Sequence, residues 1–313
     1  MRAQIKELRS HKGFSMLASA RFISNVGNGM SPIALAYGVL SIPGADGGDL
    51  SLVMSARFFP LVAFMLFGGV LGDRFQRNRI VGGSDIVGSV IVGFSAISLI
   101  GGFPNIWILV AMGALFGFLN ALWWPAMSGV LPAIVPKEKL SDGNAVIGLM
   151  SNLGYIFGSL LGGLIVATFN PGWGLLVDAV TFFIAGLILW NLTIPTKERI
   201  ESPGVLHDLK AGWREFISRS WVVTMVTSLA LINLAFESLY QVLGPLNFES
   251  STNGPRQWSL NLAGLTAGMM VGGVIVLKRK FKRPLLIAMI LIALSTVWDF
   301  ALAFDLPLIW TVA

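Results

Sequence analysis

Residues 68–80 read GGVLGDRFQRNRI: apolar residues and glycines, then Asp73 among Arg74, Arg77 and Arg79, then apolar residues again. Four charges in seven residues cannot rest in hydrocarbon, so 73–79 is a short loop between two membrane spans. Outward from it, apolar runs occupy 15–38, 52–72, 81–102, 106–130, 144–168, 175–194, 221–244, 259–277 and 284–304. Each approaches the ~20 residues that a helix needs to cross a core of about 30 Å. With the N-terminus cytoplasmic, nineteen of the twenty-two Lys and Arg residues fall on the cytoplasmic side. Arg256 alone falls outside, and Arg21 and Arg57 lie within spans. This asymmetry satisfies the positive-inside rule and predicts a multi-pass plasma (inner) membrane protein.

Composition excludes several other classes. Charged residues make up 12% and hydrophobic residues 55%, against about 25% charged in a soluble domain. The net charge of +6 sits in short loops without a nucleic-acid module, so it reads as a topology signal in contact with anionic lipid; no nucleic-acid partner is expected. There is no cysteine, and His11 and His207 lie in separate segments, so no metal site is expected. No phosphate-binding loop or nucleophile motif is present. The chain is therefore read as a non-enzyme without a cofactor, driven by a gradient rather than by a nucleotide.

The loop at 68–80 has a counterpart in GGVIVLKRKFKRP, residues 272–284, at an offset of 204. The first span carries Arg21, Asn25 and Asn28 on one helical face, and the seventh carries Asn233, Glu237 and Gln241. Spans one and seven thus look like equivalent helices of two parallel halves, a recurring transporter architecture. The expected division is 1–195 as a six-helix bundle, 196–220 as a cytoplasmic linker with an amphipathic helix, and 221–313 as an incomplete second bundle. In the linker, Leu206, Leu209, Trp213, Phe216 and Ile217 share one face and Asp208, Lys210, Arg214 and Glu215 the other, as in a helix lying on a bilayer surface.

Residues 68–80 resemble motif A of the major facilitator superfamily, with Gly69, Asp73, Arg74 and Arg77 on its positions, Gln76 in place of the usual Gly, and Asn78 where a basic residue is common. GYIFGSLLGG, residues 154–163, resembles the antiporter motif C, with Ser159 in place of the usual Pro. Gly154, Gly158, Gly162 and Gly163 also suit ordinary small-residue helix packing. The chain as a whole is most similar to the drug, macrolide and siderophore exporter branch of that superfamily, through FPLVAFMLFGGVLGDR, WWPAMSGVLPAIVP, LLVDAVTFF and GWREFISRSW. The resemblance implies an all-α polytopic membrane protein of the major facilitator fold, with nine complete transmembrane helices plus a stump of the tenth. From Leu306 eight residues remain, about 12 Å of helix, which would not cross. A chain shortened at its C-terminus relative to a twelve-helix relative is the expectation.

The implied function is proton-coupled efflux, by alternating access, of a small amphipathic molecule such as a drug, macrolide or siderophore. Import by the same fold and a non-transporting remnant are the alternatives. Ionisable groups inside a bilayer are costly and usually functional. Glu237 and Asp178 are the proton-coupling candidates, and Asn25, Asn28, Asn120, Trp123, Asn233 and Gln241 the cavity candidates. Trp123 and Trp124 equally suit an interfacial aromatic belt. Asp73, Arg74 and Arg77 form the candidate cytoplasmic gate with Gly69. Arg21 with Asp85, and Arg57 with Asp178, are at matching depths for ion bridges, and snorkelling to the interface is the alternative for each. The expected partners are a small-molecule substrate, protons and membrane lipid, with a monomer at full length.

Overall fold

The computed structural model describes Leu8, His11, residues 13–194, 205–249, 251 and 253–278, and three isolated positions, Ile287, Ile290 and Leu294. It is built from helices: α1 (Phe14–Leu40), α2 (Gly47–Arg74), α3 (Arg77–Ile100), α4 (Ile106–Ser128), α5 (Leu140–Thr168), α6 (Pro171–Trp190), α7 (Ser220–Ser238) and α8 (Gly254–Lys278). These eight fall on the first eight apolar runs. The ninth run and the tenth stump lie outside the described residues, apart from those three positions. Among the described residues six helical stretches are long and apolar enough to cross a membrane. α1 and α8 are not among the six. α1 carries Arg21, Asn25 and Asn28 with several serines and glycines, which lower its mean hydropathy.

Helix ends follow local chemistry. Asn105 Oδ1 accepts from Trp107 N (2.8 Å) and Asn170 Oδ1 from Gly172 N (2.7 Å), capping α4 and α6. Pro171 then occupies the first turn of α6, where no N–H is needed. Asp46 Oδ1 accepts from Gly48 N (2.7 Å) at the start of α2. Gly44 and Gly102 adopt φ of 82° and 73° in the connections between helices, a region that disfavours other residues. The connections 41–46, 101–105 and 169–170, with Phe248, Glu249, Ser251 and Asn253, lie at one end of the bundle, here the turn face. The loops at 75–76 and 135–139 lie at the other, the clasp face.

α1 is the centre of the assembly, packing along α5 and α6, while α2 packs on α4 and α3 on α6. The α1–α5 seam is set by glycines. A methyl on Gly158 would lie 1.9 Å from the Val26 carbonyl oxygen, and one on Gly154 2.4 Å from that of Phe22. Only residues without a side chain let the backbones approach this closely. Gly163 faces the other way, onto Ser259 of α8.

The apolar core forms two clusters. One, towards the clasp face, joins Phe14, Leu17 and Ala20 with Val81, Trp123, Val130, Leu131, Leu189 and Leu192. The other, towards the turn face, joins Ile33 to Val39 with Leu50, Val53, Met54, Leu99, Leu109 and, from α8, Trp258 and Leu262. α1 enters both, leaving residues 21–28 between two apolar plugs.

α7 differs from the other spans: none of its residues is buried. It continues through a π-helical turn, Leu239–Leu243, and a short helix, Gly244–Asn247, and these meet the N-terminal bundle. The amphipathic helix of the linker runs Val205–Ser218, with Trp213 and Ile217 exposed.

Candidate substrate cavity and its two charge clusters

Between the plugs lies a cavity of about 170 Å³ lined by Arg21, Ser24, Asn25, Asn28, Ser84, Asp85, Phe116, Leu119, Asn120, Trp123, Trp124, Tyr155 and Phe182. α1, α3, α4, α5 and α6 all contribute to it. Four of the expected cavity residues, Asn25, Asn28, Asn120 and Trp123, come together here. Each amide donates within its own helix: Asn25 Nδ2 to Arg21 O (2.7 Å), Asn28 Nδ2 to Ser24 Oγ (3.5 Å) and Asn120 Nδ2 to Phe116 O (3.0 Å). Each donation uses one of the two N–H groups of its amide, leaving the other N–H and the amide oxygen for further partners.

Arg21 and Asp85 both line this cavity and interact electrostatically. The Arg21 guanidinium also lies over the Trp123 ring, which in turn meets Trp124 edge-on at 5.3 Å. The cavity therefore offers two opposite charges, amide groups and aromatic walls, a combination suited to an amphipathic guest. Tyr155, Phe116 and Phe182 were not singled out in the sequence. Tyr155 lies inside the glycine motif, a signal that it faces α1, whereas the two phenylalanines lie in uniformly apolar runs with no such cue.

A second charge cluster lies nearer the turn face. Arg57 of α2 interacts electrostatically with Asp178 of α6 and with Glu237 of α7. Its guanidinium carbon lies 4.6 Å from the Phe116 ring centroid. Asp178 is fully buried, its Oδ1 directed at Gly27 of α1, where a methyl would approach to 2.2 Å. Glu237 is half-buried, and its Oε2 accepts from Gln241 Nε2 (3.3 Å). Asn233 is exposed and donates to Leu229 O (2.8 Å). Asn233, Glu237 and Gln241 thus stand apart from the residues lining the described cavity.

Gly69, Asp73 and Arg74 occupy the last turns of α2, and their side chains are outside what the structure describes. Arg77 begins α3 and its Nη1 donates to Gly129 O (3.2 Å), just past α4. The neighbouring Asn78, buried, donates through Nδ2 to Leu192 O (2.7 Å) and Trp190 O (3.4 Å). Arg79 lies over the Trp190 ring at 4.5 Å. The loop at 75–79 thereby clasps the C-terminal ends of α4 and α6, whose last carbonyls are otherwise unpaired and carry partial negative charge.

Residues 17–313 match the family model described as Major Facilitator Superfamily. The chain belongs to the major facilitator superfamily. Members of the superfamily move small molecules across membranes and are not enzymes, and the chain is accordingly a multi-pass membrane protein. Within the superfamily it is similar to the enterobactin exporter EntS of Citrobacter koseri, 28% identical over 276 residues. The enterobactin exporter EntS of Escherichia coli O1:K1 is 27% identical over 276 residues. Each alignment covers 85% of this chain and 64% of the relative, so the chain spans under two thirds of the length of these curated relatives. Among solved structures, a proton-dependent oligopeptide transporter superposes with a TM-score of 0.54 at 14% identity, covering 86% of this chain and 70% of that one. The POT family transporter PepTSo gives 0.50 at 14% identity, covering 83% and 53%. At this identity the likeness is one of fold alone.

Proposed function

We propose that this chain works as a proton-coupled exporter of a small amphipathic molecule across the inner membrane, by alternating access between 1–195 and 221–313. The observation that carries the reading is the cavity between the two apolar plugs. There Arg21, Asp85, Asn25, Asn28 and Asn120 face Trp123 and Trp124 at mid-helix depth. Similarity to two enterobactin exporters favours outward transport and a siderophore among the candidate substrates. The turn face is outward and the N-terminus cytoplasmic, in keeping with the sorting of Lys and Arg. Glu237 and Asp178 carry the coupling proton, and Gln241 and Asn233 serve the α7 side of the pathway. Gly69, Asp73, Arg74 and Arg77 form the cytoplasmic gate. Gly154, Gly158, Gly162 and Gly163 provide the rigid seam of the antiporter motif.

The test is accumulation of dyes, antibiotics and a siderophore panel in cells expressing the chain, with and without a protonophore. Lowered accumulation that the protonophore abolishes is expected. Accumulation equal to that of control cells, with the protein present in the membrane, overturns the reading.

A further inference from the structure

Tyr37, Tyr155 and Tyr240 are the three tyrosines of the chain, and each places its hydroxyl where the two halves meet. Tyr37 Oη of α1 donates to Pro245 O (3.4 Å), and the hydroxyls of Tyr155 on α5 and Tyr240 are bonded to each other. Beside them, a methyl on Gly47 at the start of α2 would lie 2.8 Å from Leu246 Cδ1. Residues 239–247 therefore seat against the first half at the turn face. Tyr240 is fixed from its other side as well. It belongs to the π-helical turn Leu239–Leu243, stacks on Phe236 at 5.8 Å and meets the fully buried Trp258 of α8 edge-on at 6.3 Å. Gly244 closes on the same indole, where a methyl would lie 2.2 Å from Trp258 Cη2.

Of the three tyrosines only Tyr155 also lines the cavity. We propose that Tyr155 is a positioning residue that couples the cavity to the turn-face closure: a polar guest takes its hydroxyl from Tyr240 and so loosens the second half. This rests on the reading of the cavity as the substrate site.

The coupling follows from what one hydroxyl can do. A phenol has a single proton to donate, and its bond to Tyr240 joins the halves. A guest against the cavity side of Tyr155 offers that hydroxyl another partner. Tyr155 then stays satisfied, while the closure loses one of its two tyrosine bonds. The guest thereby favours the state in which the turn face is parted, because only there is Tyr155 free to bind it. Tyr240, held by Trp258, moves with the second half rather than following Tyr155.

The chain contains no cysteine, so an introduced pair reports without background. Gly47→Cys with Leu246→Cys, in membranes holding the full chain, places two thiols across the closure. The probe is chloramphenicol, a neutral amphipathic molecule with an aromatic ring and hydroxyl groups, and its binding is followed separately with radiolabelled compound. At saturation it is expected to slow disulfide formation about threefold, the scale of one net hydrogen bond. Tyr155→Phe and Tyr240→Phe are each expected to slow the reaction about threefold without the probe, and to remove the effect of adding it. Tyr37→Phe also weakens the closure but does not touch the cavity, so there the probe still slows the reaction; this separates coupling from general loosening. A probe effect that survives Tyr155→Phe overturns the coupling. So does a probe that binds the parent without changing its rate, and this leaves the cavity reading standing. Binding that is absent, or that persists unchanged in Trp123→Leu, overturns the reading of the cavity and the coupling with it.

Discussion

The guanidinium carbon of Arg21 lies 5.1 Å from the centroid of the Trp123 ring, joining α1 to α4 across the floor of the cavity. A cation held over an indole and beside Asp85 is fixed in direction, so the pair sets one wall of the site. Replacing Trp123 by Leu keeps the position apolar and removes the ring face. The expected result is about a tenfold loss of affinity for a bound dye. Trp123→Phe should lose less. Equilibrium dye binding in detergent checks both, and equal affinity in all three proteins would remove the wall from the site.

Gly158 is the tightest point of the α1–α5 seam. Gly158→Ala is expected to cost about 1–3 kcal/mol, because the Val26 carbonyl it would strike belongs to a helix core and cannot turn aside. Gly148→Ala on the same helix meets no atom within 4 Å and should be neutral or slightly stabilising, since alanine is the better helix former. Thermal unfolding followed by size-exclusion chromatography compares the two. Equal melting would show that the seam tolerates a methyl.

Asn78 donates to two carbonyls at the end of α6 from a buried position. Asn78→Leu strands those acceptors and is expected to cost about 1–3 kcal/mol. Asn191→Leu removes an exposed bond to Leu187 O and should change stability little. The same melting assay decides it, and a neutral Asn78→Leu would mean that other groups satisfy the α6 terminus.

Topology is tested by accessibility. Pro43→Cys, at an exposed position of the turn face, is expected to react with a membrane-impermeant maleimide in intact cells. Gln76→Cys, exposed on the clasp face, should react only after permeabilisation. The opposite pattern would invert the assigned orientation.

Much of this organisation is legible in the sequence. The apolar run at 106–130 becomes α4, Ile106–Ser128, and that at 144–168 becomes α5, Leu140–Thr168. Membrane helices must satisfy their backbone polar groups internally, which makes an apolar run a dependable sign of a helix. Asn25, Asn28 and Asn120 stand out as candidates for the same reason: an amide in such a run is costly unless it faces a polar space. Arg21 and Asp85, matched by depth alone, do share the cavity. Asn78 was legible only as a departure from a basic position, and its part in clasping α6 depends on that helix ending at Trp190, so that the carbonyls of Trp190 and Leu192 are within its reach.

The sequence by itself determined that the chain crosses a membrane repeatedly, where its helices lie and which polar residues need a sheltered place. Those follow from the free energy of placing each side chain in hydrocarbon, a property of local composition. Tertiary structure alone decided that α1 lies between α5 and α6, that Phe116, Phe182 and Tyr155 wall the cavity, and that the Arg57 guanidinium lies over Phe116. Such neighbours are set by which helix surfaces approach closely enough to pack, and a bare Gly158 or Gly117 shows its meaning only beside the carbonyl it admits.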